Sequence, residues 1–184
     1  MPVRIWGHLT TEEFSELDPA RTIAVLPVGA VEQHGPHLPL ATDILIAEAV
    51  LGAATALLAD DLTLLVLPSA AVGLSPEHAN FAGTLSHRAE TLIASWTEIG
   101  GSVAAAGLRK LILLNSHGGQ PQIVDIVAQR LRSEAGLLAV RANTFRFELP
   151  EGLISERERA FGLHGGRIET ALMLAIAPEL VRRE

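Results

Sequence analysis

The sequence lacks cysteine and has no cluster of basic residues. The absence of cysteine excludes disulfides, thiolate zinc sites and thiol nucleophiles, and it is typical of proteins in a reducing compartment. Arg182 and Arg183 form a basic pair near the C-terminus, and two residues do not make a phosphate-binding face. We therefore do not expect nucleic acid as a partner, because phosphate contacts need a basic surface.

Long hydrophobic runs are also missing. The N-terminal residues contain no apolar core of a signal peptide, and the longest apolar stretches are interrupted by glycines or by Asp60, Asp61 and Thr63. None of these stretches reaches the length of a membrane-spanning helix. The sequence therefore predicts no signal peptide and no membrane contact, and we expect a cytoplasmic location.

The composition is that of a globular domain. The chain has 184 residues, of which 48% are hydrophobic and 19% charged, and its formal net charge is −7. A chain this apolar is not globally disordered and can bury a sizeable core. The length predicts a single domain over residues 1–184.

Short apolar runs alternate with longer segments of helical periodicity. The predicted strands are Ile23 to Ala30, Thr63 to Ala70, Lys110 to His117 and Gly136 to Asn143. The predicted helices are Asp43 to Leu58, Arg88 to Ala106, Gln122 to Ala135 and Arg167 to Ala177. Continuous apolar runs are typical of parallel strands that are covered on both faces. The pattern predicts an α/β protein, a three-layer α/β/α sandwich with a mostly parallel central sheet.

Ionisable side chains follow the predicted strands, where ligands bind in such sheets. Glu32 and His34 follow the first strand, and Asp43 begins the next helix. A metal site is one interpretation of this segment. The plainer alternative is a solvated loop glutamate and histidine beside an aspartate that caps a helix.

His117 follows the third strand, and Glu169 begins the last predicted helix. His117 precedes Gly118 and Gly119, so a simple glycine turn or a phosphate loop is the alternative there. A Walker loop is excluded because no Gly-Lys-Ser/Thr follows, and G-x-G-x-x-G is absent. Glu169 could merely complement the helix dipole, but the uncharged apolar helix that follows it suggests partial burial, and a buried carboxylate needs a partner.

Together these positions supply two histidines and three carboxylates. Mixed nitrogen and oxygen ligation suits Zn²⁺, Mn²⁺ or Fe²⁺. Five ligands exceed the three of a single catalytic zinc, so a two-metal site with one bridging carboxylate is plausible. A serine hydrolase is not indicated, because no G-x-S-x-G motif is present.

Four ordered motifs carry a family resemblance: EQHGPHLP followed by TD, then SPEH, then NSHGG, and finally HGGRIET. From about Ile23 to Val181 the chain resembles the creatininase (creatinine amidohydrolase) family. The resemblance implies an α/β/α domain, one or two divalent ions per chain with zinc as the first choice, and hydrolysis by metal-activated water of a C–N bond other than a peptide bond, in a small amide. It also implies a homo-oligomer, often a hexamer. The implied ligands are Glu32, His34, Asp43, His117 and Glu169.

Further roles follow from the same resemblance. Asp43 would bridge the two ions, and His164 matches the histidine that the family assigns to proton transfer. Glu77 and His78, in SPEH, would contact substrate or hold a ligand; a purely structural role in the loop is the alternative.

Several positions depart from the creatinine-hydrolysing members. Those members carry Tyr-Glu where this chain has Gly118 and Gly119, and they place tryptophans beside the substrate, whereas Trp6 and Trp96 lie elsewhere in this sequence. Arg167 stands where many relatives have glutamate, and Ala82 where they have proline. Relatives also continue through one more helical segment, so a short or truncated member is expected. We expect negligible creatinine turnover and a roomier site for a larger linear amide or formamide.

Three alternatives remain open at this point. Two are enzymes: a formamide deformylase acting on a pyrimidine intermediate, and a peptidase of the mycofactocin type. The third is a binding or structural protein that has kept the fold without the metal. All five ligand positions hold competent residues, which favours an enzyme.

Overall fold

Five parallel strands form one sheet in the computed structural model, which describes residues 3–183. The strands stand in the order β1-β3-β2-β4-β5. Their bounds are β1 Val3–Ile5, β2 Thr22–Val28, β3 Thr63–Val66, β4 Lys110–Asn115 and β5 Leu138–Asn143. β2 is therefore the central strand of the sheet, and its carboxyl end lies between those of β3 and β4.

Six α-helices connect or flank these strands within the described residues. Their bounds are α1 Thr11–Ser15, α2 Thr42–Thr55, α3 Ala89–Ala105, α4 Pro121–Ala135, α5 Glu156–Phe161 and α6 Arg167–Ile176. None of the helices in residues 3–183 combines the length and the apolar character that crossing a membrane requires.

The helices cover the sheet from both sides, which confirms the predicted three layers. On one side α3 and α4 pack together over Leu26 of β2 and Leu111 of β4, with Trp96 of α3 buried between them. On the other side α2 places Leu51 against Val25, and α6 packs on α2 through Met173. Alternate residues of one strand thus face different layers, as the pleat requires.

Three of the four predicted strands run past their true ends, whereas β5 ends at Asn143 as predicted. β2 ends at Val28 and β4 at Asn115, two residues before the predicted limit in each case. Beyond these ends the backbone leaves the ladder, and the loops that carry the candidate ligands begin there. Apolar periodicity does not report that boundary because the first loop residues are still buried.

The expectation that every strand is covered on both faces is wrong for β5. Leu138 and Val140 are about half exposed on the α2 side of the sheet. β5 is an edge strand, and within the described residues its main contacts are with β4 and with α4 on the opposite side of the sheet. Both described tryptophans belong to the core cluster on the other side of the sheet.

Three elements were not predicted: β1, α1 and α5. Each spans six residues or fewer, which is too short to show a hydrophobic period. α1 did carry a usable signal, because Thr10 and Glu13 form a capping box in which each side chain meets the other's backbone N–H.

Candidate metal centre

The carboxyl ends of β2 and β4 bring the first predicted ligands together. Glu32 and His34 lie in the loop after β2, and His117 lies two residues after β4, paired in register with β2. All three side chains are buried. The loop at His117 is fixed by Asn115, whose amide donates to the His117 carbonyl and accepts from the His117 N–H.

Asp43 reaches the same point from the first turn of α2. Its carboxylate is 2% exposed, and the N-cap of α2 is Ala41, which makes no side-chain capping bond. Asp43 is therefore not the helix cap of the plainer alternative. Glu169, in the first turn of α6, is partly buried as its sequence context suggested, and it accepts a hydrogen bond from the Gly165 N–H.

Asp43 stands between the two histidines. Its Oδ1 lies 3.1 Å from His34 Nε2, and its Oδ2 lies 3.1 Å from His117 Nδ1. Glu32 Oε1 is also 3.1 Å from His117 Nδ1, and Glu169 Oε1 is 3.9 Å from His34 Nε2. The predicted ligands thus divide into two halves, His34 with Glu169 and His117 with Glu32, which share one carboxylate.

The hydrogen bonds of the two histidines fix their tautomers. His34 Nδ1 lies 3.0 Å from the carbonyl of Glu32, and His117 Nε2 lies 2.8 Å from the carbonyl of Leu74. A carbonyl can only accept, so these nitrogens carry the proton. The other nitrogen of each ring faces the carboxylates, an arrangement typical of metal-ligating histidines.

In a neutral imidazole, the nitrogen that faces the carboxylates would carry a lone pair, and a lone pair repels an anionic oxygen. A positive charge, either a proton or a metal ion, must therefore lie between these rings and the carboxylates. Burial alone lowers the pKa of His117, but the adjoining Asp43 and Glu32 carboxylates outweigh it and raise the pKa to about 10. For His34, burial likewise lowers the pKa and Asp43 more than reverses this.

The carboxylates respond in a complementary way. Burial acts to raise the pKa of Asp43 and of Glu32, yet the neighbouring histidines bring both below their ordinary values. Burial dominates at Glu169, whose pKa is raised. One oxygen of each inner carboxylate, Glu32 Oε2 and Asp43 Oδ2, is buried without a hydrogen-bond partner. Buried orphan oxygens beside imidazole nitrogens fit a bound divalent cation.

Three imidazole rings lie against one another beside this centre: His164 stacks on His78 and is tilted by 35° from His34. The His164 ring centroid lies 4.3 Å from that of His34 and 4.3 Å from that of His78. His164 Nδ1 is 3.7 Å from Glu32 Oε1, while its Nε2 bonds the carbonyl of Gln33. The structure thus places His164 and His78 beside the predicted ligands.

Gln33 was missed by the sequence analysis. Its side-chain Nε2 donates to His78 Nδ1 at 3.0 Å, and its carbonyl accepts from His164, so it orients both rings. Its position between Glu32 and His34 was the available signal. Leu74, whose carbonyl holds His117, acts through its backbone, which leaves no trace in the residue type.

Glu77, Gly118 and Gly119 lie at the mouth of the centre. Glu77 Oε1 is 3.8 Å from His117 Nε2. A Cβ built on Gly118 would meet nothing within 4 Å, whereas one on Gly119 would lie 2.5 Å from His117 Nε2 and would collide with Glu77. The expected open space therefore exists at Gly118 but not at Gly119. Arg167 is exposed at the start of α6, where its backbone N–H donates to Glu158.

A family model described as creatininase, creatinine amidohydrolase, matches residues 7–184 of this chain. The chain belongs to the creatininase family. It is 37% identical to a mycofactocin precursor peptide peptidase of Mycobacterium tuberculosis over 188 residues, covering 99% of this chain and 69% of that protein. It is 29% identical to the creatinine amidohydrolase of Pseudomonas putida, covering 95% of this chain and 72% of that one.

Solved creatininase structures share the fold. A structure described as "Creatininase Mn" superposes with a TM-score of 0.76 at 30% identity, covering 97% of this chain and 74% of the other. A crystal structure of creatinine amidohydrolase gives a TM-score of 0.72 at 30% identity with the same coverage. This creatininase-family protein is thus a hydrolase of amide-type C–N bonds, and its ligand clusters suit a divalent metal.

Proposed function

We propose that this protein is a metal-dependent amidohydrolase that cleaves a C–N bond in a linear substrate, with Glu32, His34, Asp43, His117 and Glu169 as the metal ligands. Short peptides are the first substrate class and formamides the second. The position of Asp43 supports this proposal most strongly. Each of its two carboxylate oxygens lies 3.1 Å from a different buried imidazole nitrogen. Such a shared carboxylate between two His-carboxylate halves supports a two-metal site.

The chemistry divides between the ions and the protein. Bound divalent ions supply Lewis acidity to a carbonyl oxygen and make water nucleophilic near neutral pH. His164 supplies the proton for the departing nitrogen: its Nε2 is committed to the Gln33 carbonyl, so Nδ1, on the side of Glu32, is the atom that holds and delivers it. Packing against His34 and His78 fixes the plane of that ring.

Substrate choice is supported by the relatives and by the mouth of the site. The identity to mycofactocin precursor peptide peptidases, up to 37%, exceeds the 29% to creatinine amidohydrolase. Gly118, the residue after His117, is exposed and leaves space for a substrate chain that extends beyond the scissile bond. Phe145, Phe147 and Phe161 are exposed in the segment before His164, so they form no closed aromatic pocket for a small flat ring. Creatinine is therefore a poor substrate in this proposal.

The finer properties are proposals as well. Zinc is the first candidate ion, with manganese or iron as alternatives, because the donors mix imidazole nitrogen and carboxylate oxygen. A homo-oligomer, a hexamer by family resemblance, and a cytoplasmic location complete the proposal. Light scattering on the purified protein checks the assembly.

The deciding experiment compares metal-loaded and chelator-treated protein on three matched panels. These are short peptides, linear N-formyl compounds and creatinine. We expect metal-dependent cleavage of a peptide or formamide and negligible creatinine turnover. Elemental analysis that finds no divalent ion, even after incubation with Zn²⁺, Mn²⁺ and Fe²⁺, would refute the metal-hydrolase proposal. Efficient creatinine hydrolysis would refute the substrate assignment alone.

A further inference from the structure

We propose that Glu77 is an additional metal ligand, which holds the ion of the half formed by Glu32 and His117. This inference rests on the proposed metal-dependent function and adds a ligand to it. Glu77 lies outside the two loops that follow β2 and β4, in a short 3-10 helix at Pro76–His78. Its approach to the centre is therefore a product of tertiary packing.

The segment that carries Glu77 is tied to the His117 loop at several points. The Leu74 carbonyl accepts from His117 Nε2 at 2.8 Å, and the Leu74 N–H donates to Gln120 Oε1 at 3.1 Å. Ser75 N–H donates to Ser86 Oγ at 2.9 Å, and Pro76 occupies the first turn of the 3-10 helix. The backbone directly before Glu77 is therefore fixed beside the His117 loop, and it brings the Glu77 carboxylate to the His117 imidazole.

Donor distances place Glu77 in reach of the same ion. Glu32, Glu77 and His117 each offer a donor atom within 4.8 Å of the donors of the other two. Glu77 Oε1 lies 3.8 Å from His117 Nε2, so its carboxylate must rotate toward the Nδ1 side of the ring, where two ligands of one ion can stand about 4.2 Å apart. The Glu77 side chain is 43% exposed, which leaves it free to make that rotation.

Gly119 makes this approach sterically possible. A Cβ at Gly119 would overlap the Glu77 carboxylate as well as the His117 ring, so any other residue would displace one of them. Glu32 Oε2 also points to a bound ligand. Glu32 is only 1% exposed, and this oxygen has no hydrogen-bond partner. The Glu32 half thus presents an unpartnered buried oxygen, 4.0 Å from His78 Nε2 of the same 3-10 helix, within a group of donors that includes Glu77.

The two halves then differ in their access to solvent. An ion beside His34 would be held by Asp43 and by Glu169, whose side chain is 21% exposed. An ion beside His117 would be held by Asp43 and Glu32, which are buried, and by the more exposed Glu77 at the mouth. Glu77 therefore closes the coordination of the His117 half from the solvent side.

The test measures ion binding rather than turnover. Chelator-treated wild-type protein, Glu77→Gln and the control Glu98→Gln, an exposed carboxylate on α3, are titrated with Mn²⁺ by calorimetry, and the bound metal is counted after gel filtration. Loss of a residue that only hydrogen-bonds to a metal ligand already costs about 10–100-fold in metal affinity. We therefore expect Glu77→Gln, which removes a ligand charge, to weaken the binding of one of two ions by at least about 10-fold. The other ion and the control should be unaffected.

The remaining outcomes separate the two proposals. Two ions bound with unchanged affinity in Glu77→Gln would overturn the Glu77 inference and leave the metal-hydrolase proposal standing. A wild-type protein that binds a single ion, with the same affinity in the variant, would do the same. A wild-type protein that binds no Mn²⁺, Zn²⁺ or Fe²⁺ would overturn the proposed function, and the Glu77 inference with it.

Discussion

Replacing Asp43 by asparagine tests the shared carboxylate most directly. The variant keeps the shape of the side chain but removes the charge that Oδ1 and Oδ2 present, each at 3.1 Å, to His34 and His117. Both halves of the site lose a ligand at once. We therefore expect Asp43→Asn to bind neither ion tightly and to lose hydrolytic activity, while Asp60→Asn, an exposed control, behaves as wild type.

The magnitude follows from linkage between binding and folding. An ion at 100 times its Kd stabilises the folded state by about 2.7 kcal/mol, so two ions contribute about 5 kcal/mol. For a chain of this size 1 kcal/mol corresponds to about 2–4 °C in Tm, which predicts a metal-induced rise of about 10–20 °C in the wild type. Asp43→Asn should show little of this rise. Loss of a helix cap does not contribute to the difference in Tm between Asp43→Asn and the wild type, because the N-cap of α2 is Ala41.

The assay is thermal unfolding with and without metal, alongside elemental analysis of the same samples. A folded Asp43→Asn variant that keeps two ions and the full metal-induced rise in Tm would refute the bridging role. A variant that loses only about 1 kcal/mol of stability and keeps its ions would instead indicate the ordinary loss of a helix-terminal acid.

Three further predictions follow from the geometry. The pKa of His117, about 10 in the folded chain, lies above its ordinary value of 6.5, so without metal its stabilising contribution is complete below pH 6.5 and is lost as the pH rises toward 10. A bound metal must displace that proton, so metal binding at about pH 8 should release protons. The binding enthalpies measured by calorimetry in two buffers of different ionisation enthalpy should then differ, and identical enthalpies would contradict this. His164→Gln should lower kcat by about 10²–10⁴-fold with metal content unchanged, and metal loss would show a ligand role instead. Gly119→Ala should cost about 1–3 kcal/mol in unfolding free energy and weaken metal binding through its collision with His117, whereas Gly118→Ala should alter neither; equal effects would show the packing argument to be wrong.

Sequence pattern alone determined the layers of this protein. β2 and β4 are continuous apolar runs, and α3 and α4 show helical periodicity, because both signals arise from local burial. The rule that ligands gather at the carboxyl ends of parallel strands selected Glu32, His34 and His117. Their roles, by contrast, came from motif resemblance, since a single loop histidine carries no information about its neighbours.

Tertiary structure decided the rest, because those properties depend on distances between residues far apart in the chain. The β2–β4 register brings Glu32 to 3.1 Å from His117, and the packing of α2 turns Asp43 inward instead of leaving it as a cap. The backbone carbonyl of Leu74 fixes the His117 tautomer, an interaction that any residue type could make. Glu77 lies in a short 3-10 helix, and only the folded chain, with no side chain at Gly119, lets its carboxylate approach the His117 ring.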